Sequence, residues 1–214
     1  YYGEYTFHYW FWKNKIDKIE DDTWFGFCTY RRFWGNNFKK QSNKFSEKII
    51  QKIPDEWNDY EVILGNKINV QGIKLMKALK HGKKLIFKNP KILLKKNRNI
   101  KFQFDLYHGI GILDKAIELL DDNNREDFKN FVSQNGEFNQ GNMFFSKSKK
   151  LIKDYYKDVF VWLEKCEKIF GFDLKGYNKK RIYGFLAERF LPYWFNKNAK
   201  VLEWPIIFQD LNKN

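Results

Sequence analysis

The chain has 214 residues, enough for one domain with a substantial buried core, and an aromatic content of 20% excludes a disordered polymer. Lys plus Arg number 40 and Asp plus Glu 26, a net charge of +14 that favours polyanionic partners: nucleic acid, acidic lipid headgroups or phosphorylated small molecules. Cys28 and Cys166 stand too far apart for a CxxC metal site and make no disulfide framework, so a reducing compartment is expected. No apolar run reaches the roughly 18 residues of a membrane span, and no signal-peptide pattern is read.

The first residue is Tyr1 rather than Met, and the expectation is that a segment precedes it. Tyr5 to Ile19 is dense in aromatics and reads as a largely buried helix. Asp21 to Thr23 turn the chain, and Trp24 to Tyr30 reads as an apolar strand. Lys39 to Asn43 is a polar loop, and Ser46 to Ile53 a short helix closed by Pro54. Tyr60 to Leu64 is a strand ended by Gly65-Asn66. Leu75 to His81 reads as helix and Leu85 to Lys88 as extended chain. Asn89 to Asn99 is basic and reads as a mobile loop whose Ile92, Leu93 and Leu94 need cover.

Leu113 to Leu120 and Arg125 to Val132 read as helices, Gly136 to Gln140 as a turn, and Asn142 to Ser146 as a strand. Leu151, Ile152, Tyr155, Tyr156, Val159, Leu163 and Cys166 recur at three and four, which predicts an amphipathic helix over Lys149 to Phe170 closed by Gly171. A further helix spans Lys179 to Phe195, kinked or broken near Pro192, and Val201 to Ile207 returns as a strand. Strands separated by helices predict an α/β domain.

Arg31 and Arg32 follow the Trp24–Tyr30 strand directly. Ligands of open α/β sheets bind beyond strand carboxyl ends, and guanidinium matches phosphate oxygens bidentately. A diphosphate is the ligand this position suggests. The alternative is an ion pair with Asp21, Asp22 or Glu188. Asn139, Gln140, Gly141 and Asn142 bring amides and a flexible glycine to one strand start, suited to sugar hydroxyls or to a plain turn. Trp10, Trp12, Trp34 and Tyr30 are candidates to stack on a base or sugar ring, although most such aromatics belong to cores.

"GEYTFHYWFWKN" and "WFGFCTYRRFW" resemble the signature of a bacterial glycosyltransferase-like family, domain of unknown function 4422, whose members occur in capsule and O-antigen gene clusters. The family pattern is an E-x-T-x-x-Y-W-x-W-K-N helix and an apolar strand ending H-Y-R-R. Glu4, Thr6, Tyr9, Trp10, Trp12, Lys13, Asn14, Tyr30, Arg31 and Arg32 match it, while Thr29 stands where the family has His. "YHGIGILDKAI" resembles the region that offers His108 and Asp114. "FNQGNMFFSK", "RIYGFLAERFLPYW" and "LEWPI" resemble the later motifs. The resemblance implies an opening strand ahead of the E-x-T helix, and residues 1–214 are expected to lack it.

The resemblance implies a GT-A-like (Rossmann-like) α/β fold: one glycosyltransferase-like domain over residues 1–214, a mixed sheet flanked by helices, and long C-terminal helices. It implies sugar transfer from a nucleotide-sugar donor to a glycan or lipid-linked glycan of a bacterial surface polysaccharide. GT-A enzymes commonly carry an Asp-x-Asp metal site at the charged strand end. The matching place reads Thr29-Tyr30-Arg31-Arg32, so no cofactor metal is expected and arginine takes over charge neutralisation.

Glu188 is the candidate general base. Arg189 falls within the apolar arc of its helix and needs an anionic partner, protein or ligand; the two together are equally readable as a structural ion pair. His108, beside Gly109 and Gly111, is a candidate to bind an acceptor hydroxyl or act as base, or is a satisfied polar residue. His8 reads as core and His81 as surface, and the scattered histidines argue against zinc. Tyr30, Arg31, Arg32, Asn139, Gly141, Asn142, Arg189 and Asp114 are the candidate substrate-binding set.

Two other classes compete. The basic clusters Lys83-Lys84, Lys95 to Arg98 and Lys149-Lys150 suit nucleic acid, but no recognised motif accompanies them, so nucleic acid is not the expected partner. A non-catalytic carbohydrate-binding module is the other. The basic stretch Lys88 to Lys101 also suits docking on an anionic membrane face, consistent with a cytoplasmic protein peripheral to the inner face of the membrane.

Overall fold

The computed structural model describes residues 1–36, 44–73 and 83–210, apart from the Lys88 side chain. The loop expected at Lys39 to Asn43, the helix expected at Leu75 to His81, and His81 itself lie outside these residues. The chain gathers into two compact units. A sheet unit comprises Glu4–Lys67, Asn139–Lys157 and Trp194–Asn214, and a helical unit comprises Tyr1–Gly3, Ile68–Phe138 and Asp158–Tyr193.

The sheet unit is built on four strands: β1 (Phe25–Gly26), β3 (Val62–Gly65), β6 (Phe144–Ser146) and β7 (Val201–Trp204), in the order β1-β6-β3-β7. β6 runs antiparallel to both β1 and β3, and β3 runs parallel to β7. β3 reads Val-Ile-Leu-Gly and is buried along its whole length, as a central strand covered on both faces must be. β2 (Arg32–Trp34) and β8 (Ile206–Phe208) pair separately and antiparallel, with Arg32 opposite Phe208 and Trp34 opposite Ile206. β4 (Lys67–Asn69) and β5 (Glu137–Asn139) form a third, two-stranded sheet. The result is a mixed α/β fold with parallel and antiparallel pairing in one sheet.

Indoles dominate the sheet unit's core: Trp34, Trp57 and Trp204 pack with Ile63 and Met143. Buried indoles usually find a partner for the N–H, and two of these three do, while Trp57 Nε1 is buried without one. Trp34 Nε1 donates to the Phe27 carbonyl at 2.9 Å, and Trp204 Nε1 to the Gly35 carbonyl at 2.8 Å. Gly26 permits the β1–β6 approach, since a Cβ there would lie 2.4 Å from the Phe145 ring. The first helix, Tyr5–Asn14, covers this sheet with Tyr5 and His8. It is shorter than expected and not largely buried: Phe7, Tyr9 and Trp10 are exposed. A helix lying on a sheet buries one stripe only, whatever the composition of its other faces.

The helical unit holds helices Ile100–His108, Ile112–Ile117 and Asp122–Gln134, the later turns of Lys149–Phe170, and most of Ile182–Asn198. Asn99 caps the first through its side-chain oxygen, which accepts from Phe102 N at 2.8 Å; Asp121 caps the third. Phe104, Phe128, Val132, Trp162 and Phe190 fill the core, with Trp162 Nε1 donating to the Ala116 carbonyl at 2.7 Å.

Several sequence expectations change. The Lys149–Phe170 helix stands as predicted, and Gly171 ends it at φ 61°. Ile182–Asn198 runs through Pro192 unbroken, because Leu191 and Tyr193 on either side are buried and their packing outweighs the proline penalty of about 3 kcal/mol. Lys83–Lys88 is helix rather than extended chain, which lets Leu85 pack with Ile92, Phe102 and Leu106. Asn89 to Asn99 holds two 3-10 turns, Pro90–Leu93 and Lys95–Asn97, rather than an unstructured loop. Arg98 organises them: its buried guanidinium donates to the carbonyls of Ile92 and Leu93 at 3.0 Å each, Ile73 at 2.5 Å and Gln71 at 3.4 Å. Among the described residues, no helix is long and apolar enough to cross a membrane.

Candidate functional site

The candidate residues divide between the two units. In the sheet unit, the strand expected over Trp24 to Tyr30 pairs only at Phe25–Gly26, and Phe27 adds one bond to the Phe144 carbonyl at 2.9 Å. The chain then turns sharply. Arg32 N donates to the Thr29 carbonyl at 3.1 Å, and Arg31 takes a left-handed conformation at φ 66°. A bulky residue pays strain for that conformation, and such strain collects where a side chain must be aimed. The arginines thus occupy a tight turn between β1 and β2, not the free end of a long strand. Arg32 is already the first residue of β2.

Arg31 stacks its guanidinium over the exposed Tyr30 ring at 4.7 Å and places Nη2 3.6 Å from Asp210. Its Nε is buried without a hydrogen-bond acceptor. The ion-pair partner is therefore Asp210, which follows β8, and not Asp21, Asp22 or Glu188. Asp21 pairs with Lys149 instead, at 2.8 Å. Arg32 Nη2 donates to Gln140 Oε1 at 3.3 Å. Beside it sits Gly141 at φ 99°, where a Cβ would stand 3.4 Å from Arg32 Nη1. Thr29, in place of the family's His, donates to Met143 Sδ at 3.5 Å. Arg32, Gln140 and Gly141 thus meet at one polar edge, while the neighbouring Arg31 is engaged by Tyr30 and Asp210.

Asn139 and Asn142 lie deeper. Asn139 Nδ2 donates to the Gly65 carbonyl at 2.7 Å, at the carboxyl end of β3. Asn142 is buried, and its backbone hydrogen-bonds His8. His8 is core: it stacks on Phe27 at 4.2 Å, meets the Tyr156 hydroxyl through Nδ1 at 2.9 Å, and is held neutral by burial, with its pKa lowered to about 3. Of the aromatics expected to stack on a ligand, Trp34 is core while Trp10 and Tyr30 are exposed.

In the helical unit, Arg189 is 1% exposed and Glu188 8%. Arg189 Nη1 pairs with the Glu188 carboxylate, and Nη2 donates to Gln103 Oε1 at 2.7 Å. The guanidinium also lies over the rings of Phe104 and Phe138, at 5.4 and 5.0 Å. Burial lowers the Arg189 pKa and the Glu188 charge opposes that shift. The anion that the helical wheel demanded for Arg189 is Glu188.

His108 ends the Ile100–His108 helix and stacks on Phe185 at 4.0 Å. Burial, reinforced by the positive charge of Arg189, lowers its pKa to about 3, so the ring is neutral. Nδ1 lies 3.2 Å from the Asn178 carbonyl. A carbonyl only accepts, so Nδ1 carries the proton and Nε2 presents its lone pair. Asp114 is engaged by Lys101 at 2.7 Å, and Lys101 also reaches Asp105 at 3.0 Å. Burial opposes the Lys101 charge, yet the hydrogen bonds and charges of Asp114 and Asp105 outweigh it and raise the pKa. These three residues line a cavity of about 270 Å³ with Asn89, Asn97 and Gly111.

Sequence reasoning missed Asp210, Gln103 and Lys101. Lys101 and Asp105 stand four apart on one helix, a spacing that would have flagged them. Nothing local points Asp210 at Arg31 or Gln103 at Arg189. The carboxylate beside Arg31 is that of Asp210, an oxygen donor already engaged by a cation, which is a poor fit to a divalent ion. Among the described residues, no three His, Cys, Asp or Glu gather as metal ligands.

The family model described as Domain of unknown function (DUF4422) matches residues 1–199. No curated protein matches the chain. One solved structure, the WbbM bifunctional glycosyltransferase in apo form, is similar at 20% identity with a TM-score of 0.67. The match covers 97% of this chain and 36% of that one, so this chain spans about a third of that protein's length. At that identity the likeness is one of fold.

Proposed function

The chain belongs to the DUF4422 family, and we propose that it is a glycosyltransferase that moves a sugar from a nucleotide-sugar donor to a growing bacterial surface polysaccharide. The observation that carries this reading is the fold, shared over 97% of the chain with a bifunctional glycosyltransferase. The paired cations of the Thr29–Arg32 turn support it. A departing nucleoside diphosphate gains negative charge, and the permanently charged guanidiniums of Arg31 and Arg32 offset it. Gly141 keeps the space beside Arg32 open for phosphate or sugar. In this reading the reaction needs no divalent cation, because Arg31 and Arg32 supply the positive charge that a metal would bring to the diphosphate.

Glu188 is assigned the role of general base toward the acceptor hydroxyl, with Arg189 holding the carboxylate. Burial keeps the His108 ring neutral. Its Nε2 is suited to accept a hydrogen bond from a sugar hydroxyl and hold it in place. The acceptor class in this reading is a capsular, O-antigen or lipooligosaccharide glycan, lipid-linked and met at the cytoplasmic side of the membrane.

A thermal-shift panel of UDP, GDP, CMP and their sugars, each with and without EDTA, tests the proposal. A ligand selective for the native state raises the melting temperature. The expected result is a rise with one nucleotide class that survives EDTA and disappears in Arg31→Ala. A shift abolished by EDTA would overturn metal independence. No shift with any nucleotide would overturn the transferase reading.

A further inference from the structure

From Glu61 to Asp105 the sequence carries no carboxylate between, while Lys83, Lys84, Lys91, Lys95 and Lys96 are all exposed. The same segment turns three large apolar side chains to solvent: Phe87 is 90% exposed, Leu94 56% and Leu93 43%. Their neighbours Leu85 and Ile92 point inward onto Phe102 and Leu106. The segment thus has two apolar faces, and only one belongs to the core. The outer face is held in shape, because Arg98 ties the carboxyl end of the Pro90–Leu93 turn, through the Ile92 and Leu93 carbonyls, to the Ile73 carbonyl of an earlier segment.

We propose that the outer face of residues 83–96 docks on a bilayer that contains anionic lipid. Phe87, Leu93 and Leu94 enter the boundary between headgroups and acyl chains, and the five lysines contact lipid phosphates. Exposed apolar side chains ringed by lysines, with no acid among them, match that interface in both of its chemistries. Nucleic acid would satisfy the lysines but not the leucines, which neither stack on bases nor hydrogen-bond. The docking requires no donor or acceptor sugar, so it stands or falls separately from the transferase reading.

Sedimentation with vesicles tests it, using phosphatidylcholine alone and phosphatidylcholine with one-third phosphatidylglycerol. The native chain is expected to pellet with the anionic vesicles and to remain largely in solution with the neutral ones. The double variants Phe87→Ser/Leu94→Ser and Lys95→Glu/Lys96→Glu each lower the partition coefficient about tenfold or more. Both pairs are exposed, so the melting temperature stays unchanged. In Phe87→Trp, the emission left after subtracting that of the parent's eight tryptophans shifts to the blue on anionic vesicles. Failure of the native chain to pellet with anionic vesicles overturns the proposal. So does pelleting that both double variants retain, or pelleting without a blue shift at position 87.

Discussion

Arg31 and Asp210 face each other at 3.6 Å, one in the turn before β2 and the other just after β8, its pairing partner. Both side chains are about 30% exposed, 29% for Arg31 and 30% for Asp210. A pair so open to water contributes only about 0.2–1 kcal/mol. It restrains the guanidinium weakly, and an incoming diphosphate can compete with Asp210 for it.

Asp210→Asn is therefore expected to strengthen binding of the cognate nucleoside diphosphate, by up to about fivefold, the equivalent of that ion pair. Arg31→Ala and Arg32→Ala are expected to weaken it by about tenfold or more, since each removes a charge-assisted hydrogen bond. Isothermal titration of the three variants checks this. Equal affinity in Asp210→Asn and Arg31→Ala would place the diphosphate elsewhere.

Glu188→Gln keeps the side chain's shape and removes its charge beside the buried Arg189. Breaking a buried pair from one side costs about 3–5 kcal/mol, and the retained amide oxygen should hold the loss near about 3 kcal/mol. Urea denaturation reads that value. If Glu188 is also the base, sugar transfer falls about a hundredfold or more under conditions where the variant is fully folded. Full turnover in the folded variant would leave Glu188 a structural partner only.

The two buried histidines set the acid limb of stability. Both have folded pKa values lowered to about 3, by burial in each case, against about 6.5 when unfolded. Above about pH 6.5 neither state binds the proton and stability is unaffected. As pH falls below that, the unfolded chain takes up protons that the folded chain refuses, and stability drops until about pH 3. The slope is up to about 1.4 kcal/mol per pH unit for each histidine. Melting temperatures of His8→Gln and His108→Gln between pH 7 and 4 should fall less steeply than those of the parent. Parallel pH profiles would mean that the rings protonate in place.

Arg98→Ala removes a guanidinium whose partners are all backbone carbonyls. Hydrogen bonds to charged groups contribute about 1.5–3 kcal/mol, so a loss of at least about 2 kcal/mol is expected. Trypsin should also cut sooner at Lys91, Lys95 and Lys96, because the 3-10 turns lose their brace. Unchanged cleavage there would show that packing of Leu85 and Ile92 holds the segment without Arg98.

Much of this architecture could be read in the chain beforehand. The Lys149–Phe170 helix was legible from apolar residues at three and four, and Tyr60 to Leu64 was legible as a strand, of which Val62–Gly65 pairs. Arg189 on an apolar arc announced a buried cation that needed an anion. Other readings failed where long-range packing overrode local signal. Pro192 does not break its helix, Lys83 to Lys88 coils to bury Leu85, and the aromatic helix at Tyr5 leaves three rings in water.

Patterns along the chain determined which residues carry charge and apolar bulk, and on which face of an element they lie, since both follow from composition and backbone period. Partner choice was decided by tertiary structure alone. Asp210 reaches Arg31 because β2 and β8 pair, Gln140 reaches Arg32 across more than a hundred residues of intervening chain, as their separation of 108 shows, and Gln103 reaches Arg189 from another helix. Such contacts depend on how strands and helices pack in space, a relation between distant segments that no local spacing encodes.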